Sequence, residues 1–137
     1  MIYVFDASYV GALIIPDENE LLFRKQSSVI INEEEKYVPQ LLWYEAANLL
    51  MNLIRRKRIK ESFASKFFKH LTELNLKTDF ETGAAYSQKL FDLSSEFNLS
   101  SYDAAYLELA KRKKAVLCTL DRKLIAAAGK CGVKIIR

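Results

Sequence analysis

Four acidic residues, Asp6, Glu45, Asp103 and Asp121, carry the chemistry open to this sequence. Asp6 and Asp121 each come just after a short apolar run, Ile2-Tyr3-Val4-Phe5 and Ala115-Val116-Leu117-Cys118. Runs of that length followed by helical pattern read as buried strands of a parallel sheet. Ligands of open α/β sheets bind beyond the carboxyl ends of the strands. Two carboxylates delivered there from opposite ends of the chain point to one shared site. Massed carboxylates repel one another, and a divalent cation is the usual remedy. The chemistry indicated is that of a metal-dependent enzyme acting on phosphates.

The neighbours of these acids extend the pattern. Asp6 and Ser8 are two apart, as are Thr119 and Asp121. If the chain stays extended there, each pair points to one side and offers a carboxylate and a hydroxyl together. Glu45 and Asn48, three apart, share a helix face otherwise made of Leu41, Leu42, Leu49 and Leu53. A charge and an amide in an apolar stripe need partners if buried. Asp103 taken alone reads equally well as an acid favoured by the positive end of a helix, and Asp121 as a helix cap. Independent caps explain the four positions together less well than one site does. His70, the only histidine, falls far from all four and reads as a helix-surface residue.

The elements that must position these groups alternate between strand and helix. Strands are expected at 2–5, 37–39, 74–78, 115–118 and 133–136. Helices are expected near 8–14, 17–26, 40–57, from Glu61 through Leu74, at 82–97, at 102–112 with Ser100 or Ser101 as cap, and at 122–128. The stretch 27–36 reads as either strand or helical hairpin. Such alternation predicts a parallel-sheet α/β domain.

The chain has 137 residues, half of them apolar, which is enough for one core in one domain spanning 1–137. No apolar stretch approaches the ~20 residues that cross a bilayer. Met1 leads straight into the first strand without a basic leader, so no signal peptide is expected. Two cysteines, Cys118 in an apolar run and Cys131 in a turn, read as free thiols, which fits a cytoplasmic location. The net charge of +4 identifies no ligand class. Two basic clusters, Arg55-Arg56-Lys57-Arg58 with Lys60 and Lys111-Arg112-Lys113-Lys114, complement helix carboxyl ends and would also suit a polyanion.

Four segments now resemble a known family. Val4-Phe5-Asp6-Ala7-Ser8, Trp43-Tyr44-Glu45-Ala46-Ala47-Asn48, Ser101-Tyr102-Asp103-Ala104-Ala105-Tyr106-Leu107-Glu108-Leu109-Ala110 and Thr119-Leu120-Asp121-Arg122-Lys123-Leu124 are similar to the motifs of PIN-domain nucleases, most of all the VapC-type toxins of toxin–antitoxin modules. The resemblance covers essentially the whole chain, in the family's order. It implies a five-stranded parallel sheet flanked by helices and Mg²⁺- or Mn²⁺-dependent RNA cleavage. It implies that Asp6, Glu45, Asp103 and Asp121 are the catalytic, metal-binding cluster, with Ser8, Asn48 and Thr119 as polar support. It also implies a homodimer and an inhibitory antitoxin protein. The stretch 27–36 is longer and more acidic than the family pattern.

Rival readings come from other classes. A catalytically silent PIN-like RNA- or protein-binding module should have lost one of the acids, and all four are present. A phosphotransfer enzyme using Asp6 as acceptor would want a second aspartate where Ser8 stands, and a receiver domain would want a C-terminal lysine that Lys134 matches only loosely. Phe63, Phe67, Phe68 and Leu71, with Leu49-Leu50-Met51, supply more large apolar groups than one small helix usually buries. They lead to the expectation of a partner surface on the helix from Glu61 to Leu74.

Overall fold

A computed structural model of the chain describes residues 1–16, 32 and 35–136. The expected helix at 17–26, and most of the stretch 27–36, lie outside the described residues. The elements are β1 (Tyr3–Phe5), α1 (Ala7–Ile14), β2 (Lys36–Pro39), α2 (Leu41–Arg55), a 3₁₀ turn (Glu61–Phe63), α3 (Ala64–Glu73), β3 (Lys77–Asp79), α4 (Ala84–Phe97), α5 (Ser101–Lys113), β4 (Val116–Cys118), α6 (Arg122–Lys130) and β5 (Ile135–Ile136). The five strands form one parallel sheet in the order β3-β2-β1-β4-β5.

Alternation along each strand splits the core into two layers. Tyr3, Phe5, Val38, Val116 and Cys118 face α1, α2 and α3. Val4 and Leu117 face α5 and α6. Period-two side-chain alternation in strands buried on both faces produces this three-layer sandwich. Gly11 lets α1 lie close on α2, since a Cβ there would meet Leu49 Cδ2 at 2.8 Å.

The expected third strand at 74–78 is corrected to Lys77–Asp79. Leu74 is buried and completes the inner face of α3, and Asn75 then adopts the left-handed conformation that ends a helix (φ 54°). The new edge strand is tied down by Arg112. Its guanidinium donates to both carboxylate oxygens of Asp79 (3.0 and 2.6 Å) and to the buried Glu108 (2.7 and 3.2 Å). Part of the basic cluster at the end of α5 therefore holds the sheet together.

The partner-surface expectation also needs correction. Phe67 is wholly buried and Leu71 nearly so, both within the α1–α2–α3 core. Only Phe68 of that stripe is substantially exposed. The 3.6-residue period turns Phe67 and Leu71 inward together, and Phe68 one step off them.

Candidate active site

β1 and β4 lie side by side, yet the chain continues from them toward opposite edges of the sheet. Such a switch point leaves a crevice at the carboxyl ends of the two strands. Asp6 follows β1 and Thr119 follows β4, and Asp6 N donates to Cys118 O across the crevice (3.2 Å).

Asp6 caps α1 by accepting from Tyr9 N (2.9 Å). The same oxygen, Oδ1, accepts from Ser8 Oγ at 2.7 Å, and Oδ2 accepts from Thr119 Oγ1. Ser8 Oγ in turn accepts from Leu120 N (2.9 Å), and Thr119 Oγ1 from Asp121 N (3.0 Å). Each hydroxyl has one proton, and both protons go to Asp6. Two backbone N–H groups of the loop after β4 thus reach Asp6 through two hydroxyls. Ser8 meets Asp6 by a different route from the extended pairing that the spacing suggested. Asp6 is extended, but Ser8 lies in the first turn of α1, which folds its hydroxyl back onto the cap.

Asp121 caps α6 by accepting from Leu124 N (3.0 Å). Asp103 sits in the first turn of α5, where Ser100 is the cap and accepts from Asp103 N (3.1 Å). Asp121 is therefore a helix cap and Asp103 a first-turn acid, and Asp121 also acts electrostatically on Asp6 and on Asp103. Glu45 reaches in from α2, where it feels Asp103 and Asp6 and accepts a 2.5 Å hydrogen bond from the buried Tyr106 hydroxyl of α5. Asn48 is exposed on the wall of an adjoining cleft and, among the described residues, makes no hydrogen bond to the acids. Tyr106 was not singled out from the sequence. Its signal was the spacing of three from Asp103, which places both on one face of α5.

Burial pushes the Asp6 carboxyl above its ordinary range, against hydrogen bonds from Thr119, Ser8 and Tyr9, and the charge of Asp121 adds to the rise. Burial likewise raises Glu45 and Asp103, helped by their acidic neighbours. Among the described residues, none of the four acids forms an ion pair. The donor set is all oxygen, concentrated in negative charge and partly desolvated, which fits a hard divalent cation in kind. The carboxylates have not closed to ligand spacing: among the described residues, no group of three acidic, histidine or cysteine side chains is arranged to hold a metal ion. Asp6 is held instead by the Ser8 and Thr119 hydroxyls and Tyr9 N, and Glu45 by Tyr106.

These shifts fix a pH dependence. Asp6, Glu45 and Asp103 hold their protons more tightly folded than unfolded, so their contribution to stability falls as pH rises through the window above the ordinary carboxylate range. Asp79 runs the other way, because the Arg112 hydrogen bond holds its carboxyl below the ordinary carboxylate range, and its contribution is lost in more acid solution. Metal-free protein should therefore melt highest near pH ~5 and lower at pH ~8. Mn²⁺ should raise the melting temperature at the higher pH, and less so in more acid solution, where protons compete with the cation for Asp6, Glu45 and Asp103. A thermal melt at the higher pH that ignores Mn²⁺ would contradict the assignment of these acids to a cation.

Asp6 is a poor phosphoryl acceptor, being 4% exposed with both oxygens engaged. Against known proteins, the PIN domain family profile matches residues 3–130. The chain belongs to the PIN-domain family. This PIN domain is 32% identical over 121 residues to Ribonuclease VapC3 of Pyrobaculum aerophilum, covering 88% of this chain and 90% of that protein. The crystal structure of PAE2754 from Pyrobaculum aerophilum matches it with a TM-score of 0.72 at 27% identity, over 93% of this chain and 84% of that one. FitAcB from Neisseria gonorrhoeae matches with a TM-score of 0.57 at 16% identity, over 99% and 97% of the two chains, a likeness of fold alone.

Proposed function

We propose that this PIN domain is a metal-dependent endoribonuclease, the toxin of a toxin–antitoxin pair. The observation that carries the reading is that Asp6 and Asp121 follow β1 and β4 at the switch point, with Asp6, Glu45, Asp103 and Asp121 acting electrostatically on one another. The likeness to Ribonuclease VapC3 over most of both chains supports RNA as the substrate. The whole chain, 1–137, acts as one catalytic unit.

Asp6, Glu45, Asp103 and Asp121 would hold Mg²⁺ or Mn²⁺. A bound cation would supply the Lewis acidity that acidifies a water and offsets charge gathering on the phosphate. Ser8 and Thr119 fix the Asp6 carboxylate, so it need not reorganise as charge develops. Tyr106 orients Glu45 through one oxygen and leaves the other for a ligand. Asn48, beside Glu45 on the cleft wall, is placed to hydrogen-bond substrate. The protein works in the cytoplasm, as a homodimer restrained by an antitoxin protein. Among the described residues no helix is long and apolar enough to cross a membrane.

Purified protein should cut RNA internally with Mg²⁺ or Mn²⁺ and stop when EDTA is added. Equal cleavage in EDTA would remove the proposed mechanism.

A further inference from the structure

One cleft opens beside the acidic centre, and a second adjoins its far end. The first, of about 780 Å³, starts at Ser8, Glu45 and Asn48 and runs between α1 and α2 to Arg58. The second, of about 420 Å³, is walled by Arg58, Lys60, Ser62, Phe63 and Lys66. They share Pro16, Arg58 and Ile59 as walls, so the two clefts adjoin as one trough. From Glu45 to the end of α2 at Arg55 is roughly 15 Å of helix. The trough is acidic at one end, apolar along Ala12, Ile15 and Leu53, and basic at the other.

Helix stabilisation explains only part of the basic end. Arg55 complements the carboxyl end of α2, but Lys66 stands in the first turn of α3, where the helix dipole disfavours a cation. Arg58, Lys60 and Lys66 are exposed and, among the described residues, form no ion pair; Glu61 is the nearest acid in sequence and pairs with none of them. Three cations without an ion pair among the described residues, at the far end of a trough whose other end is at Glu45, complement a polyanion.

We propose that this trough holds an unpaired strand of RNA on one side of the scissile bond. Phosphates rest on Arg58, Lys60 and Lys66, and bases and sugars lie along the apolar walls. A duplex cannot enter a cleft between two packed helices, whereas an unpaired strand can spread its bases there. The proposal rests on the ribonuclease reading and adds where the substrate runs. Cleavage then requires RNA that extends several nucleotides from the cut, on one side only.

The test uses the full chain with Mg²⁺ or Mn²⁺ and an unstructured RNA that it cleaves, trimmed stepwise from each end. One variant combines Arg58→Gln, Lys60→Gln and Lys66→Gln. A control combines Lys111→Gln, Lys114→Gln and Lys134→Gln, an equal charge loss around a separate basic cleft near Met1. All six side chains are exposed, and matching melting curves establish that both proteins fold. Should the trough variant not fold, Arg58→Gln and Lys60→Gln singly replace it.

The trough variant should raise KM for the long RNA about 10- to 100-fold and flatten the salt dependence of binding by about 2 log units per log unit of salt. Its kcat, its KM for the most trimmed RNA, and the KM of the control should match wild type. Unchanged KM and salt slope, or equal effects of both variants, would overturn the proposal. So would a trough variant that cuts RNA normally but escapes an inhibitory peptide, which would make the trough a peptide groove. If the wild type cuts no RNA with either metal, the ribonuclease reading itself fails, an outcome distinct from all of these.

Discussion

Asp6→Asn should lower RNA cleavage by about 1,000-fold or more while the protein stays folded. The loss follows from removing a charge at the point where the four acids converge. The fold should survive because asparagine caps a helix about as well as aspartate. Its carbonyl oxygen can keep the Tyr9 and Ser8 hydrogen bonds, and its amide can donate to Thr119 Oγ1, whose proton can turn toward Ser8 Oγ at 3.4 Å. A neutral side chain also ends the repulsion between Asp6 and Asp121. The metal-free variant should therefore melt at the same temperature as wild type or higher. An Asp6→Asn protein that is unfolded by circular dichroism would make Asp6 a structural residue. One that is folded and fully active would remove it from the catalytic set.

Phe67→Glu should leave no folded population. The side chain is wholly buried, packed edge-on to Phe68 with ring centroids 5.2 Å apart. Removing a buried aromatic costs about 3–5 kcal/mol. Burying an unpaired charge in its place adds several more, roughly. Their sum approaches the whole stability of a domain this size, about 5–15 kcal/mol. Phe68→Glu, one residue on, should cost only about 1 kcal/mol, because that ring is 45% exposed and loses little beyond its edge contact. Thermal melts of the two variants check this directly. A well-folded Phe67→Glu protein would place that residue at the surface, in line with the partner-surface expectation for this helix.

The contrast between Phe67 and Phe68 marks what the sequence can carry. Parallel strands were readable at Tyr3–Phe5 and Val116–Cys118, because buried strands in such sheets are apolar on both faces and leave a run with no polar interruption. β3 was readable only in part and was placed three residues early at its start, because Lys77, Thr78 and Asp79 make an edge strand tied by Arg112 rather than by apolar burial. Three of the acids were readable from positions after strands or at a helix start. Glu45 was readable because its charge interrupts a leucine-rich face. Tyr106 was hidden, since a tyrosine within an apolar helix reads as core, and only the fold brings its hydroxyl to Glu45 from 61 residues away. The trough was hidden for a similar reason: Arg58 and Lys66 lie on different elements, and no spacing rule joins them. The spacing set Ser8 beside Asp6 and Thr119 beside Asp121, but Ser8 belongs to the first turn of α1 rather than to an extended strand end. The geometry that joins both hydroxyls to one carboxylate needs the β1–β4 pairing, which is a long-range fact.

The central claim is that four acids from four parts of the chain make one cation site. Mn²⁺ titration of the metal-free protein by calorimetry tests it most directly, with Asp6→Asn, Glu45→Gln, Asp103→Asn and Asp121→Asn compared against wild type. Each substitution should weaken Mn²⁺ binding about 10-fold or more while the melting curve shows a folded protein. Mn²⁺ affinity unchanged in folded variants of all four acids would contradict the account.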